Sequence, residues 1–222
     1  MNAIDVYIVN GNASIDVIEE LSTSLNSREL ERANRYRFED DRRRSIVARA
    51  ALRRLIGQYL ATEPQSLIII DGNHGKPELL NGEIEFNASH SGDLVALAFA
   101  RETPVGVDVE RRRELHDTLA LARRYFSAEE VAIVERAADA GDAFFTIWTA
   151  KEAIVKASGK GIGTGELHGF TVPFRDPRLQ PVIDGWYVAA IDPQMNDYYA
   201  AVACRGGDGH INSCRLEAAA LL

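Results

Sequence analysis

The 222-residue chain is poor in several features, and each shortage removes a class of chemistry. Only two cysteines occur, Cys204 and Cys214. The N-terminus, MNAIDVYIVN, has no basic leader region and carries an acid early. Two free thiols in a reducing, cytoplasmic setting are therefore expected rather than a disulfide. No run approaches the roughly 18 consecutive apolar residues that a membrane span requires, so no membrane association is expected. Excess positive charge is missing too. Lys and Arg total 25 against 33 Asp and Glu, a net charge of −8 that argues against general nucleic-acid binding. A GxxxxGK[ST] loop is also absent, which removes the support a small P-loop kinase would need. Gly159-Lys160-Gly161-Ile162-Gly163 follows a helical segment instead of leading into one, so it reads as a helix stop.

What is present is ordinary for a globular protein: 46% hydrophobic and 26% charged residues, in a chain long enough for one large domain or two packed halves. The charge is unevenly spread. Ten arginines (28, 32, 35, 37, 42, 43, 44, 49, 53 and 54) stand with five acids between Arg28 and Arg54. That segment is either a local anion site or a salt-bridged helical surface.

Hydrophobic periodicity predicts a strand over 3–9 and helices over 14–25 and 27–61, the second broken by Ala61-Thr62-Glu63-Pro64. Strands are expected at 67–70, 84–87 and 95–100. His74–Pro77 reads as a loop, and Ser89-His90-Ser91-Gly92-Asp93 as a polar turn. A strand follows at 105–110, then helices near 117–125, 128–140 and 144–158, and strands near 169–174, 185–191 and 198–204. Ser127 and Glu130 have the spacing of a capping box. The tail from Gly206 reads as loosely ordered. Helix followed by about three strands occurs twice, which predicts an α+β fold of two similar lobes, 1–104 and 105–222, each with an antiparallel sheet, and a cleft between them.

Four motifs carry chemistry. In Gly106-Val107-Asp108-Val109-Glu110, side chains two apart share a strand face, so Asp108 and Glu110 project together while the valines enter a core. Paired carboxylates suit a hard divalent ion such as Mg²⁺, which commonly takes one or two carboxylates plus substrate phosphates. They would equally suit a wet strand neutralised by Arg111–Arg113. At 100° per residue Trp148, Glu152 and Lys156 form a row along one helix edge. Such a Glu–Lys pair is otherwise a common surface feature. Asn87-Ala88-Ser89-His90-Ser91-Gly92 offers hydroxyls and an imidazole to an anion, and Gly75-Lys76-Pro77 a charge on a stiffened turn.

Taken in order, GKP (75–77), SHSG (89–92), GVDVE (106–110) and WTAKEAIVKASGKG (148–161) resemble the 4'-phosphopantetheinyl transferase superfamily, in its longer, single-chain, two-lobed (surfactin-synthetase-activating) branch. The likeness runs from about residue 27 to 204 and includes Phe126-Ser127-x-x-Glu130. It implies a pseudo-twofold pair of lobes with the active site between them. It also implies Mg²⁺ (or Mn²⁺) held by Asp108, Glu110 and Glu152, with Glu152 and Lys156 catalytic. Coenzyme A would be bound by Arg44, Lys76, Pro77, Ser89, His90, Asp108 and Lys156, with Arg32 and Arg49 as weaker candidates. The implied reaction moves the phosphopantetheine arm of coenzyme A to a serine of an apo acyl or peptidyl carrier protein, by a monomeric enzyme. A non-catalytic nucleotide- or carrier-binding module is the alternative.

Overall fold

The structure, a computed structural model, describes residues 3–72, 76–159, 167–207 and 209–222. His74 and Gly75 of the expected loop, and Lys160–Gly163 after the helix stop, lie outside the described residues.

Two four-stranded sheets stand back to back. The first has the order β10-β1-β5-β4, with β1 at Ala3–Asn10, β4 at Glu85–Ser91, β5 at Leu94–Ala100 and β10 at His210–Glu217. The second has the order β6-β9-β8-β7, with β6 at Val105–Arg111, β7 at Gln180–Ile183, β8 at Trp186–Ile191 and β9 at Tyr198–Arg205. A small hairpin, β2 (Ile69–Asp71) with β3 (Pro77–Leu79), sits apart. Alternation along each strand builds three cores. Ile4, Val6 and Ile8 of β1 and Leu94, Ala96 and Ala98 of β5 meet Val105, Val107 and Val109 of β6 and Val202 of β9 in a shared inter-sheet layer. The opposite face of the first sheet packs on α1 (Ile15–Ser22) and α3 (Glu39–Leu60). The opposite face of the second sheet packs on α6 (Ala140–Ser158), which is flanked by α4 (Thr118–Tyr125) and α5 (Ala128–Arg136).

The α+β, two-lobed expectation holds, with differences in particular elements. Residues 27–61 are two helices, α2 (Ser27–Ala33) and α3, because Glu29 pairs with both Arg49 and Arg53. A straight helix would hold positions 20 residues apart roughly 30 Å from each other, so the chain must fold back. Asn26 and Glu29 form a capping box that marks the restart. Most of the arginine segment is internally paired: Arg42 and Arg43 bridge Glu39, and Arg54 bridges Glu20 and also donates to Ser24 and the Leu221 carbonyl. The Ser127–Glu130 capping box is present. The expected strand at 169–174 is not one, since a 3-10 turn at Leu167–Gly169 leads into extended chain and the strand forms later as β7. The tail is not loose. His210–Glu217 adds parallel to β1, and Ala218 and Leu221 are buried in the first lobe's core. A parallel neighbour requires a long crossover, and here the rest of the first lobe and all of the second supply it.

One contact fixes the geometry that follows. A Cβ on Gly106 would lie 2.2 Å from the Ala153 carbonyl oxygen and 2.3 Å from the Ala157 amide nitrogen. The backbone of α6 rests directly on β6 there, and no side chain can yield to make room. Gly106→Ala should cost about 3 kcal/mol and push Glu152 and Lys156 away from β6. Denaturant unfolding checks the stability effect, and a fully stable variant would contradict the contact.

Candidate active site

β6 is the edge of the second sheet and β4 the edge of the first, and the two edges lie side by side without a backbone ladder between them. Side chains of β4 bridge the seam. The Val107 amide donates to Asn87 Oδ1 at 2.9 Å, and the Arg111 amide donates to Ser91 Oγ at 3.0 Å. Both pairs are offset by 20 residues, so the strands run in parallel register. Val107 and Val109 enter the inter-sheet core, while Asp108 and Glu110 emerge on the face covered by α6, as the strand alternation predicts.

Four charged groups gather there. Asp108 is 3% exposed, and its Oδ1 accepts from Lys156 Nζ at 2.6 Å and from Ser89 Oγ at 2.8 Å. Lys156 Nζ also donates to Ser89 Oγ at 2.9 Å. Glu110 Oε2 accepts from Ser91 Oγ at 2.9 Å and from Arg113 at 3.1 Å. Glu152 is 3% exposed. Asp108 Oδ2 and Glu152 Oε1 are buried with no hydrogen-bond partner, a costly arrangement for carboxylates. Burial pushes the Asp108 carboxyl up, against the pull of Lys156 and Ser89. Burial first, then the charges of Asp108 and Glu110, push Glu152 up to about 7 although Lys156 opposes them. Crowded, buried, under-satisfied carboxylates are characteristic of a functional site.

Helix α6 and strand β6 belong to the same lobe, so Glu152 reaches Asp108 by direct packing and needs no closure across a cleft. The first lobe contributes the serines. Two unpartnered buried carboxylate oxygens beside a third carboxylate have the chemistry to accept a hard cation. In this arrangement Lys156 supplies the positive charge at Asp108. Among the described residues no set of three His, Cys, Asp or Glu side chains stands in ligand geometry around one point.

The other expected residues scatter around this cluster. Ser89, His90 and Ser91 belong to β4 and not to a turn, so Ser89 faces the carboxylates while His90 lies exposed on the opposite face of the strand. The turn is Gly92-Asp93. A Cβ on Gly92 would meet the Tyr198 hydroxyl at 2.4 Å, and the Asp93 amide donates to that hydroxyl at 2.9 Å. Arg44 bonds Asp93 at 3.0 Å and Asp41 at 2.7 Å, so it alone of the paired α3 arginines reaches this hairpin tip. Arg49 is turned to Glu29. Lys76 lies near the start of β6, its Nζ 3.4 Å from the Val105 carbonyl, and burial lowers its pKa. Pro77 opens β3.

Three positions take roles that the sequence does not convey. Asn87 and Ser91 continue the period-two polar face that includes Ser89, but serine, glycine and aspartate together look like a turn. Lys151, one residue before Glu152, is fully buried. Its ammonium bonds Glu130 at 2.8 Å and the carbonyls of Leu167 and Phe170 at 2.7 and 2.6 Å. Its partner Glu130 is visible in the sequence as the capping residue of α5, but nothing in the spacing links it to Lys151.

Of the two cysteines, Cys204 is buried and Cys214 exposed, and neither is in a disulfide. No helix of the described residues is long and apolar enough to cross a membrane.

Known proteins match the sequence in both halves. Residues 104–203 match the family described as the 4'-phosphopantetheinyl transferase superfamily, and residues 12–102 the one described as 4'-phosphopantetheinyl transferase, N-terminal. The chain is 34% identical over 195 residues to the 4'-phosphopantetheinyl transferase HetI of a Nostoc species, covering 85% of this chain and 82% of that one. It is 30% identical over 198 residues to the 4'-phosphopantetheinyl transferase gsp of Aneurinibacillus migulanus, covering 85% and 79%. It is 36% identical over 157 residues to the 4'-phosphopantetheinyl transferase psf-1 of Bacillus pumilus, covering 69% and 66%. With a relative above 30% identity matched over most of both chains, and both lobes matched by family, the chain belongs to the 4'-phosphopantetheinyl transferase superfamily.

Proposed function

We propose that this protein transfers the 4'-phosphopantetheine arm of coenzyme A to a serine hydroxyl of an apo acyl or peptidyl carrier protein, with Mg²⁺ as cofactor, releasing adenosine 3',5'-bisphosphate. The observation that carries the reading is the seam cluster. Asp108 and Glu152 hold buried oxygens without partners, and Lys156 stands 2.6 Å from Asp108.

Asp108, Glu110 and Glu152 are the residues that would hold the ion. When bound, it would neutralise pyrophosphate charge and polarise the phosphorus–oxygen bonds. Lys156 contacts the pyrophosphate and stabilises charge on the departing phosphate. In the transfer the serine oxygen bonds to phosphorus, the phosphoanhydride bond to the nucleotide breaks, and the leaving bisphosphate takes the electron pair. Glu152 receives the serine proton through an intervening water, because a carboxylate that helps hold a cation is a weakened base for direct abstraction. Arg44, Lys76, Pro77, Ser89 and His90 line the path for the nucleotide end, with Arg44 and His90 suited to its 3'-phosphate. An exposed histidine on the rim can take that part without entering the carboxylate cluster.

The test mixes the protein with an apo-carrier, coenzyme A and Mg²⁺ and reads intact mass. The expected result is one added phosphopantetheine arm, lost with EDTA. Carrier binding without a mass gain would instead identify a non-catalytic module.

A further inference from the structure

We infer that Ser91 is a positioning residue for Glu110, holding its carboxylate on the site side of the lobe seam. The inference rests on the metal-site reading above and assigns a role to a residue outside the expected site.

The Ser91 hydroxyl has one hydrogen to give and two lone pairs to offer. The Arg111 amide donates to Ser91 Oγ at 3.0 Å. That amide belongs to an edge strand with no backbone partner on this side, so the bond satisfies a group that would otherwise be orphaned. With Oγ engaged as acceptor, its hydrogen is aimed at the acceptor that remains, Glu110 Oε2, at 2.9 Å. The rotor is thus set by the backbone of the very strand that carries the glutamate.

Glu110 needs such a hold. Asp108 is fixed by Lys156 and Ser89 and is buried, whereas the Glu110 side chain is 20% exposed. The same Oε2 also accepts from Arg113 at 3.1 Å, and the Arg113 side chain is 61% exposed. Ser91 holds the carboxylate from inside and Arg113 draws it toward solvent. Removing the hydroxyl leaves only the outward pull. The neighbouring seam bond, from the Val107 amide to Asn87, is separate and survives that change. Because Ser91 sits on the first lobe and Glu110 on the second, this one bond ties ligand geometry to lobe register. Partners that orient a ligating carboxylate typically govern metal affinity by 10–100-fold.

The experiment titrates Mn²⁺ into the purified full chain and reads bound ion by electron paramagnetic resonance, with Mg²⁺ in competition. Ser91→Ala is expected to weaken Mn²⁺ affinity by about 10-fold while Ser91→Thr, which keeps the hydroxyl, restores it. In a Glu110→Ala background Ser91→Ala should add no further loss, since its effect passes through Glu110. Wild-type affinity in Ser91→Ala, with binding abolished in Asp108→Ala, overturns the inference and leaves the metal reading standing. Unchanged binding in Asp108→Ala overturns both. A general loosening of the fold would lower the melting temperature of Ser91→Ala and Ser91→Thr alike without the selective rescue, and that pattern also overturns it.

Discussion

Glu152→Gln is expected to lower transfer by about 10³-fold and, in the metal-free protein above pH 7, to make the fold more stable by roughly 2–3 kcal/mol. The two effects share one cause. The carboxyl sits 3% exposed beside Asp108 and Glu110, with Oε1 unpartnered. Burial and those charges lift its pKa from 4.5 to about 7. Below pH 4.5 the group is protonated in the folded and unfolded chains alike and has no differential effect. As pH rises from 4.5 to about 7 the unfolded chain releases the proton while the folded chain retains it, so stability falls through that window and levels off above it. That pKa difference corresponds to about 3 kcal/mol, and an amide left in the same unpartnered place returns part of it. Glutamine removes the charge and with it the pH dependence, but it can neither receive a proton nor contribute a negative ligand. Urea unfolding in EDTA at pH 5 and pH 8, set beside intact-mass kinetics, decides the matter. A wild-type protein as stable at pH 8 as at pH 5, with no gain in the variant, would contradict the strained-carboxylate account.

Lys151→Met should destabilise the protein by about 3–5 kcal/mol, more than most surface changes by a wide margin. All three ammonium protons are engaged, by Glu130, the Leu167 carbonyl and the Phe170 carbonyl, and the Phe170 ring centroid lies 4.4 Å away. Glu130 is itself fully buried. It caps α5 through the Ser127 amide and accepts from the Val172 amide at 2.9 Å. Methionine fills the space but strands a buried carboxylate and two carbonyls. The double variant Lys151→Met with Glu130→Gln should recover part of the loss, because the uncompensated charge, more than the lost attraction, dominates the single change. Equilibrium denaturation of the four chains gives the coupling energy, and additive effects would show that the pair is not acting as a unit. Transfer should fall with stability here, since Lys151 anchors the helix that presents Glu152 and Lys156.

Lys151 and Glu152 show what sequence spacing conveys and what it does not. Adjacent on α6, they point about 100° apart. One reaches into the core to tether residues 167–170, and the other reaches the site. The sequence places both on a helix and Lys156 one turn beyond Glu152, but a Glu–Lys pair of that spacing looks the same on a wet surface. Without its packing partners, no local rule separates the core lysine from the site lysine.

What the sequence by itself determined is the set of short-range facts. Asp108 and Glu110 share a strand face because strand periodicity is two, Val107 and Val109 enter a core for the same reason, and helix α6 stops at Gly159, which has φ +67°. The resemblance carried by four ordered motifs added Glu152 and the residues proposed to face the nucleotide, which spacing could not supply. Only the tertiary structure decided how these pieces meet. Gly106 lets the α6 backbone lie on β6, so Glu152 joins Asp108 within one lobe. Strand β4 meets β6 edge to edge, so its polar face becomes the wall of the site instead of a turn. The tail that reads as loose becomes β10, because the exposed edge of β1 offers it a ladder. Each of these depends on contacts between residues far apart in the chain, where burial and unpaired backbone groups dictate the outcome and local propensity does not.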